Sequence, residues 1–332
     1  MQDFEKKWNL LLSIIIPVYN REGTLKRCVD SLLKQINDNV EIVLVDDGSD
    51  DNTHQILAEY ENDKHITVAY REHGGVSRAR NYGLSIAGGK YVTFVDSDDF
   101  VGAGYIRTLL EAADGSDLAA FDCWYKIDAK GTVTEEAKRI PVRGRQPAER
   151  MYPFLVGQGL NSACGKVFKN EIVRKYGVQF DESMKISEDF IFVMDYLEQC
   201  KTVNMCDKIT YYYKHNPNGT WRVKPQHMED LIKAYNKICR FIEIKKVTFE
   251  DPVWNLQLVH SRILRHVCSI IVGLHNSGDF TKAKSERLVN SRLYQDVTNE
   301  KYDKLKYKLM KELMKGQNWI FLCLVFRLKG IN

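Results

Sequence analysis

No two of the eight cysteines stand as a Cys-x-x-Cys pair; they fall at 28, 123, 164, 200, 206, 239, 268 and 323. A chain of 332 residues is also far longer than a disulfide-stapled secreted domain, so the pattern argues for free thiols, a reducing compartment and no structural zinc. The eight histidines show no metal-ligand spacing. No Gly-x-Gly-x-x-Gly follows an apolar run, which sets aside a dinucleotide-binding oxidoreductase. Met1 to Trp8 is charged and lacks the regions of a signal peptide. The apolar run Leu10 to Val18 is interrupted by Pro17 and too short to cross a bilayer. The expected location is therefore the cytoplasm. There is no internal repeat and no low-complexity tract. A net charge of +4 gives no reason to expect nucleic acid as a partner.

What is present is the profile of a folded chain, 44% hydrophobic and 28% charged, long enough for a sizeable core. The first 125 residues alternate strand and helix. Leu11–Val18 and Val40–Val45 are β-branched apolar runs of the kind buried on both faces of a sheet. Leu25, Cys28, Val29, Leu32, Leu33 and Ile36 recur at helical spacing between them. Further strands are expected at Ile66–Tyr70, Tyr91–Val95 and Leu118–Tyr125, with helices through Ile56–Tyr60, Ala79–Ala87 and Tyr105–Ala113. This alternation predicts an α/β fold, a mainly parallel sheet with helices on both faces.

After Tyr125 the pattern loosens. Asp128–Thr134 reads as a hairpin, Pro141–Pro147 as a basic connector, Glu188-Asp189 as a helix start and Thr210–Tyr213 as a short strand packed through its tyrosines. From about His227 the chain reads as nearly all helix. The expected division is a catalytic domain over 1–222, with nucleotide-sugar binding in 1–125 and an acceptor and base region in 126–222. A helical region over 223–332 follows, the boundary falling in the Asn216–Pro225 punctuation.

The polar residues that break the strands hold the chemistry. Pro17-Val18-Tyr19-Asn20, Asp46-Asp47-Gly48-Ser49 and Asp96-Ser97-Asp98-Asp99 each close an apolar run, and Gly74-Gly75 opens a helix. In open α/β sheets ligands bind at the carboxyl ends of the strands. Like charges ~4 Å apart repel by roughly 4 kcal/mol at an effective dielectric near 20, so carboxylates gathered on one rim call for a cation. Mg²⁺ characteristically takes one or two carboxylates and completes its shell with phosphates.

Taken together, Ser13-Ile-Ile-Ile-Pro-Val-Tyr-Asn20, Val45-Asp-Asp-Gly-Ser49, Gly75-Val-Ser-Arg-Ala-Arg-Asn81 and Asp96-Ser-Asp-Asp99 resemble the family 2 glycosyltransferases of GT-A fold, over roughly the first 215 residues. The resemblance implies an inverting transfer of a sugar from a nucleotide-sugar, usually a UDP-sugar, to an acceptor hydroxyl. It implies that Pro17, Tyr19 and Asp47 bind the base. Arg80 would meet the donor's phosphates or sugar, Asp96 with Ser97 the donor's ribose or sugar, and Asp98 would hold Mn²⁺ or Mg²⁺. Ser187-Glu188-Asp189-Phe190 matches the family's Glu-Asp motif, with Asp189 as general base and Glu188 on the acceptor side. Lys166 matches a lysine near the acceptor, against the alternative of a solvated surface lysine. Lys214 or His215 would sit in a loop over the diphosphate. His73 departs from the family's usual Asn, which leaves the donor contacts at that spot open.

Many family members of this layout extend lipid-linked or polymeric glycans for capsule, exopolysaccharide or cell wall, which makes a glycan acceptor the implied partner. Two readings fit the C-terminal stretch of Lys301, Lys304, Lys306, Lys308, Lys311 and Lys315, with its apolar stripe and the Trp319–Phe326 run. It forms a basic helix at the inner face of the cell membrane, or its apolar face packs on the catalytic domain or on a second copy. The competing functions are a nucleotidyltransferase, whose basic Gly-rich loop after the first strand is not seen here, and a nucleotide-sugar-binding protein without catalysis. Intact Asp98 and Asp189 argue against the latter.

Overall fold

The computed structural model describes residues 10–128, 132–137, 140–156, 160–214, 224–249, 256–302, 304–317 and 322. The chain divides into two compact units. The first comprises Met1–Met151, Gly159–Met184 and Glu188–Pro217, and the second Tyr152–Gln158, Lys185–Ser187 and Asn218–Asn332.

The first unit is built on one ten-stranded sheet. Its opening half follows the expected alternation: β1 (Leu12–Val18), α1 (Leu25–Leu33), β2 (Val40–Asp46), α2 (Thr53–Ala58), β3 (Ile66–Tyr70), α3 (Val76–Ile86) and β4 (Tyr91–Phe94). Strands β3, β2, β1 and β4 lie side by side in that order, all parallel. Every residue of β1 is buried, the outcome expected of an apolar run covered by helices on both sides. Helix α1 buries Leu25, Cys28, Val29 and Leu32. Helix α3 comes so close to the sheet at Gly83 that an added Cβ would stand 2.4 Å from Ile15 Cγ2.

The second half of the sheet departs from the sequence reading in three places. Strand β9 (Lys166–Lys169) enters the middle of the sheet, antiparallel to both β4 and β6 (Leu118–Ile127). The Pro141–Pro147 segment, expected as a connector, contains strand β8 (Gly144–Pro147), which pairs antiparallel with β10. Strand β10 itself runs over Thr202–Lys214, three times the expected length, and lies parallel to β6. The remaining strands are β5 (Phe100–Val101), paired with β10, and β7 (Val133–Ala137), which forms the expected hairpin with β6. Helices α4 (Tyr105–Ala113), α6 (Asn170–Tyr176) and α7 (Glu188–Leu197) complete the unit. The tyrosine run packs as expected: Tyr212 stacks between Phe100 and Tyr125, at ring separations of 4.7 and 4.9 Å.

The second unit collects α5 (Tyr152–Val156) with α8 (Met228–Lys245), α9 (Leu256–Asn276), α10 (Lys282–Val289), α11 (Arg292–Asn299) and α12 (Leu305–Lys315). In α12, Met310 and Met314 are buried, and Met314 Sδ lies 3.5 Å from Cys268 Sγ on α9. The apolar face of this basic helix is therefore spent on packing within its unit, while Lys304, Lys308 and Lys315 stay exposed. The Trp319–Phe326 run falls outside the described residues apart from Leu322, which is buried. Among the described residues no helix is long and apolar enough to cross a membrane.

Candidate active site

At the carboxyl end of β1, Asn20 takes a left-handed backbone conformation, φ 51°. Its amide donates to Ser49 Oγ at 3.0 Å, and its side chain exchanges hydrogen bonds with Asp50. Ser49 in turn donates to Asp46 Oδ1 at 2.5 Å. The ends of β1 and β2 are thereby tied together by side chains that pure turn chemistry would leave in solvent.

Asp47 organises the next loop. Its Oδ1 accepts from the Gly74 amide at 2.9 Å and its Oδ2 from the Gly75 amide at 2.8 Å. The His73 ring reaches the same residue, with Nδ1 2.9 Å from Oδ2 and 3.0 Å from the backbone carbonyl. The imidazole stacks on the Tyr19 ring at 4.3 Å. Gly48, at φ +74°, is required here twice over, because a Cβ would also stand 2.8 Å from the His73 nitrogen. Pro17, buried in β1, offers its carbonyl to the Ser97 hydroxyl at 2.7 Å. Ser97 is thus occupied in joining the ends of β4 and β1.

Arg80 holds the centre. Its guanidinium donates to Asp189 Oδ1 at 2.5 Å and to Asp96 Oδ1 at 2.9 Å, with Glu188 Oε1 3.5 Å away. It lies 5.2 Å from the centroid of the Phe180 ring. Burial acts against the charge, but Asp189 and Asp96 outweigh it and hold the group above its ordinary range. The sequence places Arg80 and Asp189 109 residues apart, and the fold makes them an ion pair. Arg80, expected on the donor's phosphates or sugar, engages two carboxylates, one from each expected half of the site.

Asp189 is the second residue of α7, a helix preceded by Ser187 in a strained left-handed conformation, φ 64°. Its Oδ2 accepts from the Ala163 amide at 3.2 Å. Burial raises its carboxyl above the usual range, Arg80 opposes the rise, and Asp96 adds to it. Glu188 is pushed up to about 7 by burial and by the neighbouring Asp189. Lys166 is 3% exposed and donates to the Ser162 carbonyl at 2.5 Å, so the solvated-surface alternative is wrong. Its ammonium acts on Asp189 through space, favouring the charged carboxylate. Cys164 lies in the same neighbourhood, and burial with Asp96 drives its thiol well up, which leaves it a packing group rather than a nucleophile.

Asp98 is one-third exposed and lies 3.7 Å from Arg21. Burial and the Asp96 charge raise its carboxyl, so it gains from a cation placed against it. Asp99 is buried, and nothing in the sequence distinguishes it from its neighbours. Its Oδ2 accepts from Tyr211 at 2.6 Å and its Oδ1 from the Lys214 amide at 2.9 Å, while Tyr211 Oη also accepts from the Asp96 amide. Nothing local marks this role, because the partner strand is 112 residues away. Arg21 likewise carried no signal beyond its charge. His215 lies outside the described residues.

Among the described residues no group of three or more His, Cys, Asp or Glu side chains could hold a metal. A single accessible carboxylate of Asp98 type still fits Mg²⁺ or Mn²⁺, whose remaining ligands come from phosphates and water. The cavity of about 370 Å³ lined by Lys90, Lys169, Asn170 and Arg174 lies at the opposite edge, by the amino end of β4 and the carboxyl end of β9, and shares no residue with this site.

A parallel half-sheet whose strand ends gather a stacked tyrosine–histidine pair, an Asp-x-Asp motif and a half-buried acidic pair fits the glycosyltransferase class. The chain belongs to glycosyltransferase family 2: residues 13–177 match the Glycosyl transferase family 2 description. It is 42% identical over 243 residues to glycosyltransferase GlyG of Streptococcus pneumoniae serotype 4, covering 68% of this chain and 79% of that one. It is 31% identical over 233 residues to the uncharacterized glycosyltransferase EpsJ of Bacillus subtilis strain 168, covering 68% and 67%. S. aureus TarS 1–349, solved in complex with UDP, shares the fold at a TM-score of 0.64 and 21% identity, over 96% of this chain and 92% of that one.

Proposed function

We propose that the protein transfers a sugar from a UDP-sugar to a hydroxyl of a growing surface glycan, polymeric or lipid-linked, with inversion at the anomeric carbon. The observation that carries this reading is the Arg80 bridge, which holds the Asp-x-Asp carboxylate Asp96 and the candidate base Asp189 on a single guanidinium. A donor at the strand ends and a base for the acceptor then share one small space, as a direct displacement requires. The UDP complex of the structurally similar TarS supports uridine as the nucleoside.

In this reading the acceptor hydroxyl loses its proton to Asp189 as its oxygen bonds to the anomeric carbon. The bond from that carbon to the diphosphate breaks on the opposite face. A carboxylate raised above its usual range is the better proton acceptor, and Arg80 and the Ala163 amide keep it oriented. Arg21 and Lys214, which both act on Asp98 through their charge, face the leaving diphosphate. Mg²⁺ or Mn²⁺ at Asp98, when bound, neutralises charge on that diphosphate. Asp47 shapes the base pocket by holding the His73–Gly75 loop.

Calorimetric titration with UDP, in Mn²⁺ and then in EDTA, tests the donor site. The expected result is binding in Mn²⁺ that EDTA and Asp98→Ala each weaken at least 10-fold, the scale of a lost charged contact. Equal affinity in wild type and Asp98→Ala would remove Asp98 as the metal ligand.

A further inference from the structure

Strand β10 ends in neighbouring tyrosines that face opposite sides of the sheet. Tyr212 is spent on stacking between Phe100 and Tyr125, whereas Tyr211 is 4% exposed and turns its hydroxyl to the Asp96–Asp99 turn. Between Lys208 and Tyr212 the pairing with β6 shifts register, the kind of irregularity that re-aims a side chain beside a site. A backbone amide only donates, so Tyr211 Oη takes the Asp96 N–H on a lone pair, at 3.2 Å. Its one hydrogen is then left for Asp99 Oδ2, at 2.6 Å. The other oxygen of Asp99 takes the Lys214 amide at 2.9 Å. Asp99 is 1% exposed, so these bonds are made out of reach of water. The turn is thereby clipped to β10 on both sides of Asp98, and Lys214, one end of the clip, acts on the Asp98 carboxyl through its charge.

We infer that Tyr211 is a positioning residue for the metal-dependent part of donor binding, its hydroxyl and Asp99 together fixing the turn that presents Asp98 and the distance from Asp98 to the Lys214 end of β10. This rests on the donor-site reading above and adds a residue that acts from the opposite half of the sheet. Tyr211 works through Asp96 and Asp99 and not on the donor itself. Without the hydroxyl, the Asp96 amide and Asp99 lose the partner they share, and Asp98 meets a cation only after the turn is reordered. The cost falls on the metal-bound complex, because contacts to the nucleoside at the ends of β1 and β2 involve neither Tyr211 nor Asp99.

The test is calorimetric titration of the full chain with UDP, in Mn²⁺ and in EDTA, on wild type, Tyr211→Phe and Tyr212→Phe. Phenylalanine keeps each ring and deletes only the hydroxyl. Tyr211→Phe is expected to bind UDP at least about 10-fold more weakly than wild type in Mn²⁺ and within about threefold of it in EDTA, the scale on which a group behind a metal ligand acts. Tyr212→Phe, on the other face, is expected to hold both affinities within about threefold. The retained affinity in EDTA reports that the donor site is folded. Undiminished affinity of Tyr211→Phe in Mn²⁺ overturns the inference. An equal loss in both solutions also overturns it, as the mark of packing damage alone, and so does a Tyr212→Phe loss as large as that of Tyr211→Phe. If wild type binds UDP equally in Mn²⁺ and in EDTA, the metal reading of Asp98 fails first and this inference with it.

Discussion

Arg80 shows how one buried cation sets the behaviour of three acids. It contacts Asp96, Asp189 and Glu188 from a side chain only 5% exposed. The two acids of the Glu-Asp motif differ in how they share it. Asp189 takes the short bond and the Ala163 amide, whereas Glu188 stays 3.5 Å off and is raised to about 7. Asp189→Asn removes the proton acceptor but keeps shape and volume. UDP affinity should stay within about threefold of wild type while turnover falls at least 10²-fold. Full turnover in that variant would exclude Asp189 as the base. Glu188 makes a separate prediction about stability. Between its ordinary 4.5 and about 7 the folded protein keeps a proton that the unfolded chain has released. Its contribution is therefore complete below pH 4.5 and lost as pH rises through 7. Glu188→Gln, a permanent mimic of the protonated form, should be more stable than wild type at pH 8 by on the order of 1 kcal/mol and no different at pH 4.5. Denaturant unfolding at the two pH values checks it, and a gain of equal size at both would refute the assigned cause.

The strand-to-helix turns are where local sequence and tertiary demand meet. Asp47-Gly48-Ser49 is turn chemistry in any protein, and its position after an apolar run made the end of β2 legible. The reason for Gly48 is not local. A β-carbon there would press on the His73 nitrogen from a loop 25 positions on, in a backbone region that side chains rarely adopt. Gly48→Ala should cost about 1–3 kcal/mol in denaturant unfolding and weaken UDP binding with it, since the same loop carries His73. A variant as stable as wild type would show that the loop is free to move. Strands β8 and β9 were not legible for a related reason. Lys166–Lys169 is four residues with a lysine at either end, too short for periodicity to register. Gly144–Pro147 has no β-branched or aromatic residue, and it is a strand only because β10 offers it an open edge. Both owe their conformation to pairing rather than to propensity.

On the scale of the molecule, the two units differ in how directly they follow from the chain. The α/β unit is announced by its alternation, and three of its strand ends and one helix start carry the motifs that mark the family. The helical unit is announced only as helix, and its basic α12 reads equally as membrane-facing or packed. Met310 and Met314 are buried within the helical unit. Met314→Ala should therefore destabilise the helical unit by about 2–5 kcal/mol, seen as faster amide exchange in α9 and α12. Unchanged exchange would mean that the methionine face is not part of a core. Composition and strand-end placement were enough to state an α/β sheet with acids on one rim, because those follow from periodicity and from where open sheets bind ligands, while the transferase reading came from the resemblance of the motifs to the family. Which acids meet which cations is another matter. Arg80 with Asp96 and Asp189, Asp99 with Tyr211, and His73 with Asp47 are pairs separated by 16 to 112 residues. Such pairs exist only once the parallel strands are in register and the antiparallel β9 and the long β10 have extended the sheet, since no local preference brings a buried charge to its partner.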